Sequence, residues 1–173
     1  MLSYDRSTIV HFAKDLVRTP FTAVNRRLLR AGRIGAVGYI GWVGHSNLGD
    51  EAMFEQIKAA FPDFELVPLL PEPGERLISH LGAGPGIFDA VLLGGGTLMN
   101  CDFIGIAQLV REQSVPLFVV GTGVGSPGFS RPENGDCLDA WARLCQSVPL
   151  AGVRGPYSRD ILERAGTPDV RVI

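Results

Sequence analysis

From residue 34 to its last residue, the chain alternates two textures, and this alternation restricts the possible fold more than any other feature. Short apolar runs end in glycine, and longer amphipathic runs follow them. GAVGYIGWVG (35–44), FELVPLL (64–70), FDAVLLGGG (88–96), VPLFVVGTG (115–123), PLAGVR (149–154) and DVRVI (169–173) read as strands. EAMFEQIKAAF (51–61), GERLISHL (74–81), FIGIAQLVREQ (103–113), CLDAWARLCQS (137–147) and PYSRDILERAG (156–166) read as helices. The first of these sets Met53, Phe54, Ile57, Ala60 and Phe61 on one face. In the fourth, Cys137, Trp141, Leu144 and Cys145 share the inner face. In the last, Pro156 stands early and Gly166 closes the helix, as helix boundaries prefer. Pro68 places the second strand at an edge or puts a strand end there. Strands that are continuous apolar runs, each followed by a helix, mean parallel βα units. The expected class is α/β: a doubly wound, mostly parallel, Rossmann-like sheet over 34–173.

The 173 residues suffice for one domain with a real core and are too few for two full α/β domains. The net charge of −2 excludes a nucleic-acid footprint for the chain as a whole. That charge is uneven. Residues 1–33 carry seven Lys or Arg against Asp5 and Asp15, giving +5 there and −7 elsewhere. This leader reads as a solvated basic helix, with peripheral docking on an anionic membrane as the alternative. Charges interrupt it too often for a signal peptide, and no apolar run reaches the length of a membrane span. Cys101, Cys137 and Cys145 form no CxxC and read as reduced thiols of a cytoplasmic protein. His11, His45 and His80 have no metal-ligand spacing, so no metal site is expected. DVRVI reads as a strand with nothing after it. The expectation is therefore the N-terminal half of a longer two-domain protein, or a chain completed by a partner subunit.

In an open parallel sheet, ligands bind beyond the carboxyl ends of the strands. Four of these ends carry unusual residues: GWVGHSNLGDE, GGGTLMN, GTGVGSPG and VRGPYS. The first is neither GxGxxG nor a P-loop, so a standard dinucleotide or nucleoside triphosphate site is disfavoured. Asn47 either caps the following helix or binds a ligand. Asp50 and Glu51 sit where free N–H groups favour carboxylates. Glu51 reads as that alone. Asp50 reads either so or as a group that holds sugar hydroxyls or acts as a base. Gly94, Gly95 and Gly96 in a row mark a backbone that something approaches closely, and a ligand is the favoured agent over a neighbouring loop. The N–H groups of Gly95, Gly96 and Thr97 could form an anion nest. Gly121, Gly123 and Gly125 read the same way. Arg154 is the best single anion ligand, and Tyr157 and Ser158 follow it at a helix N-terminus. Trp42 and Trp141 read as packing residues.

Together GxxGxxNxGDEA (41–52), VLLGGGTLM (91–99), VGTGVG (120–125) and VRGPYSRDILERAG (153–166) resemble the polysaccharide pyruvyl transferase family, over about 35–173. The resemblance implies a transferase that moves the enolpyruvyl unit of phosphoenolpyruvate onto a pair of sugar hydroxyls, forming a pyruvate ketal and releasing phosphate. It needs no cofactor beyond that donor substrate. It further implies a GT-B-like cleft between two Rossmann-like halves, and a lipid-linked or cell-surface glycan precursor as acceptor on the cytoplasmic side. The second half would supply further basic residues and a histidine. Carried onto this chain, Asp50 is the expected catalytic base. Asn47, Gly49, Gly94, Gly95, Gly96, Thr97, Gly121, Thr122, Gly123, Arg154, Tyr157 and Ser158 are the expected substrate-binding residues. The alternatives are a nucleotide-sugar-dependent GT-B glycosyltransferase and a non-catalytic half-protein.

Overall fold

The computed structural model describes residues 35–43, 47–69, 88–125 and 135–173. The leader over 1–33, the helix read over 74–81, Gly44, His45 and residues 126–134 lie outside them.

Six strands form one sheet: β1 (Gly35–Ile40), β2 (Phe64–Leu69), β3 (Ala90–Gly94), β4 (Leu117–Thr122), β5 (Leu150–Val153) and β6 (Arg171–Val172). Their order is β2-β1-β3-β4-β5-β6, and every neighbouring pair is parallel. The helices are α1 (Leu48–Ala60), α2 (Ile104–Glu112), α3 (Gly135–Cys145) and α4 (Pro156–Arg164). Pro68 lies on the edge strand β2, where its missing N–H disturbs no central ladder.

The two-residue period of the strands sorts side chains to two faces. Val91 and Leu93 enter the larger core with Ala107 and Val110 of α2, Trp141 and Leu144 of α3 and Leu162 of α4. Ala90 and Leu92 turn the other way, against Val37, Tyr39 and Leu66, with Phe54 of α1 above them. So α2, α3 and α4 cover one face and α1 covers the other, which is the doubly wound arrangement expected. Trp141 is the largest fully buried side chain. Its truncation to alanine would cost about 3–5 kcal/mol.

Two readings need amendment. Helix α1 starts at Leu48, because Asn47 caps it. Phe54 is buried, but Ala60 and Phe61 are exposed, and Phe61 rests edge-on against Phe64 at 6.4 Å. The second amendment concerns the thiols. Cys101 and Cys137 are joined in a disulfide with Cα atoms 5.5 Å apart, and only Cys145 is free. The expectation of three reduced thiols is overturned. Cys101 follows the β3 loop and Cys137 opens α3, so the pair meets only in the folded sheet. The thiol argument for a reducing compartment falls with it.

Candidate functional site at the β1–β3 crevice

Helix α1 carries the chain from β1 outward to β2, and β3 returns on the opposite side of β1. Connections that diverge in this way leave a crevice at the carboxyl ends of β1 and β3, where open α/β sheets bind ligands. The loops after β1, β3, β4 and β5 all meet at this edge.

Asn47 anchors the first loop. Its Oδ1 accepts from the Gly49 N–H at 3.1 Å, and its Nδ2 donates to Asp50 Oδ2. Both alternatives for Asn47 therefore reduce to one arrangement, a cap whose other end holds Asp50. Asp50 lies in the first turn of α1, only 4% exposed. Burial pushes its pKa up, the Arg154 charge pulls it down, and Glu51 pushes it up again; the net shift is upward.

The glycine triplet is packed from within. A Cβ on Gly94 would stand 2.8 Å from the Tyr39 ring, and one on Gly95 would stand 2.6 Å from Asp50 Oδ1. Gly95 and Gly96 also have φ of +83° and +42°, in the left-handed region. The agent that approaches this backbone is the chain's own Tyr39 and Asp50, which corrects the preference for a ligand in that role. The N–H groups of Gly96 and Thr97 have no acceptor among the described residues.

Strand β4 binds to the same loop. Its register against β5 shifts between Val120 and Thr122, at Gly121 with φ +69°. Thr122 Oγ1 accepts from the Leu98 N–H at 3.2 Å and donates to the Gly96 carbonyl at 3.5 Å. The Met99 N–H donates to the Gly123 carbonyl at 3.2 Å. A Cβ on Gly123 would meet Ser158 Oγ at 2.8 Å and Arg154 Nε at 3.1 Å. Ser158 is buried, and its Oγ accepts from the Val124 N–H at 3.1 Å, so its hydroxyl ties α4 to the β4 loop. The Arg154 N–H donates to the Thr122 carbonyl at 2.9 Å. Its guanidinium is exposed and has no ion pair among the described residues.

All the residues expected at the site thus stand on one edge of the sheet, in two sets. Thr122, Ser158 and the glycines build the edge and are engaged inside the chain. Asp50 lies buried against this edge, the Gly96 and Thr97 N–H groups have no acceptor among the described residues, and Arg154 and Tyr157 are exposed. Sequence reasoning missed Tyr39. The available signal was a lone phenol in an apolar strand just before a glycine-rich turn. Trp141 is a packing residue as read, and its Nε1 also donates to the Asn100 carbonyl at 2.9 Å.

A parallel α/β domain with these loops at its switch point belongs to the doubly wound class, whose ligand sites lie at that edge. A model of the polysaccharide pyruvyl transferase family matches residues 47–173, so the chain belongs to that family, a family of transferases acting on polysaccharide. No curated protein and no solved structure matches the chain. Among the described residues, no helix is long and apolar enough to cross a membrane.

Proposed function

We propose that this chain binds phosphoenolpyruvate at the β3–β5 side of the crevice and carries its pyruvyl unit to a sugar hydroxyl pair of a glycan precursor. The observation that carries this reading is an exposed Arg154 without an ion pair and Gly96 and Thr97 N–H groups without an acceptor, among the described residues, on one sheet edge of a pyruvyl transferase family chain. Phosphoenolpyruvate bears a phosphate and a carboxylate. A planar guanidinium and oriented N–H groups are the groups that hold such anions. Asp50 takes the proton of the attacking acceptor hydroxyl. The enol methylene carbon gains a proton and becomes the methyl as the first oxygen bonds to the enol carbon. The second hydroxyl then displaces the phosphate, its proton leaving with inorganic phosphate, so that both oxygens end on that carbon as a ketal. A carboxylate with a raised pKa is a better base than an ordinary one, provided that it is still ionised at the working pH. By the family resemblance alone, and not by the thiols, we place the reaction at the cytoplasmic face, where the donor and a lipid-linked acceptor would meet. The basic leader offers the anionic membrane a contact.

The test is phosphate release by the full chain from phosphoenolpyruvate, with and without a sugar acceptor, and ketal detection by NMR. Acceptor-dependent release with ketal formation supports the reading. Thermal stabilisation by nucleotide sugars and none by phosphoenolpyruvate would replace it with a glycosyltransferase.

A further inference from the structure

Among the described residues, Tyr39 is the buried side chain whose polar atom lacks a hydrogen-bond partner. It stands on β1, and its side chain is 0% exposed. Its ring is gripped on two sides. Phe54 meets it edge-on, with centroids 5.2 Å apart, and Gly94 lies so near that a Cβ there would stand 2.8 Å from the ring. The ring cannot swing away to find a partner. Leaving a buried hydroxyl unpaired costs about 1–3 kcal/mol. Phenylalanine would fill the same space without that cost. A hydroxyl there calls for a partner that the described residues do not provide.

The neighbourhood says what that partner serves. A Cβ on Gly95 would stand 2.6 Å from Asp50 Oδ1 and 3.3 Å from the Tyr39 hydroxyl. Both oxygens therefore lie near the same side of Gly95, at most about 6 Å apart, a range that includes the span of one bridging water. Asn47 already holds the other carboxylate oxygen, Oδ2. Oδ1 is left for a second donor. The charged groups felt at this carboxylate are Glu51 beside it on α1 and Arg154 at the end of β5. Tyr39 itself stays protonated, since burial first and the Asp50 charge second push its pKa well above the ordinary phenol value. It is a donor wherever Asp50 is ionised.

We propose that Tyr39 is a positioning residue: its hydroxyl donates through one buried water to Asp50 Oδ1 and, with Asn47 on Oδ2, fixes the carboxylate toward the acceptor hydroxyl. The inference rests on the reading of Asp50 as the base. It does not alter the donor site at Arg154.

The experiment is Tyr39→Phe in the full chain, read in two ways. The first is the Asp50 carboxyl titration by NMR. The second is the pH–rate profile of pyruvyl transfer. A donated hydrogen bond favours the charged carboxylate, so its loss raises the Asp50 pKa. The expected result is an upward-shifted titration, an acid limb of kcat moved to higher pH, and kcat lower by about 10-fold with the donor KM unchanged. A titration and an acid limb that stay in place, with a Tm raised by the loss of an orphaned hydroxyl, overturn the proposal. Phenylalanine keeps the ring and its packing, so the variant folds. The titration needs no turnover. Wild-type protein without pyruvyl transfer would sink the transferase reading, while the titration alone would still decide the role of Tyr39.

Discussion

Asp50 meets two opposed demands. Its burial favours the neutral form, whereas the proposed chemistry needs the charged one. Because its folded-state pKa is raised, the proton on Asp50 favours folding. That contribution is full below the ordinary carboxylate pKa and is lost as pH rises through the raised one. An Asp50→Asn variant keeps the shape and never carries the charge. We expect it to melt higher than wild type at neutral pH, by about 2–4 °C for a gain on the order of 1 kcal/mol. The gap should narrow toward acid pH in a series of thermal melts. Pyruvyl transfer should fall at least about 10²-fold. At Gly95, alanine would place a Cβ against the Asp50 carboxylate and take on a left-handed φ. The expected loss is about 2–3 kcal/mol, read as a lower urea midpoint at unchanged slope. The triplet 94–96 was conspicuous in the sequence. What presses on it was not, because residues 39, 50 and 95 become neighbours only through the β1–β3 pairing.

Each element of the edge places a different charge or tie. Strand β5 ends so that the Arg154 backbone is pinned to Thr122 while its guanidinium stays open. Arg154→Ala should raise the donor KM about 10-fold or more with a smaller change in kcat. It should also move the acid limb upward, because the arginine charge lowers the Asp50 pKa. An unmoved donor KM would remove Arg154 from the site. Helix α3 is tied to the β3 loop by the Cys101–Cys137 bond, which spans 36 residues of sequence. Reducing it should cost about 3–4 kcal/mol by loop entropy. A thiol assay after unfolding without reductant should count one cysteine, and with reductant three. In the native fold Cys145 should stay silent, since burial pushes its pKa up to about 12. Most elements were legible because short continuous apolar runs mark the strands and a period near 3.6 marks the helices. The disulfide was not, because sequence spacing carries no information about which loops meet. The start of α1 was misread by three residues, because Asn47 serves as its cap and the apolar pattern does not show this.

At the level of the whole molecule, the sheet order makes a site out of motifs scattered over 47–158. The order β2-β1-β3-β4-β5-β6 reverses direction between β1 and β3, so the carboxylate loop and the glycine loop must face each other across one crevice. The Arg154 guanidinium follows at the end of β5. The proposed function puts the acceptor on the Asp50 side and the donor on the Arg154 side, and it yields a prediction for the intact chain. If phosphoenolpyruvate is the donor as proposed, it binds the folded state alone, so at about 100 times its Kd it should stabilise by roughly 2.7 kcal/mol, or about 5–10 °C in Tm. The exposed guanidinium makes that shift salt-sensitive, so it should shrink as ionic strength rises. Arg154→Ala should abolish the shift, and Asp50→Asn should leave it intact, because the carboxylate lies on the acceptor side. If instead Asp50→Asn tightens binding of phosphoenolpyruvate strongly, the carboxylate faces the donor anion. The two sides of the crevice would then have to be exchanged.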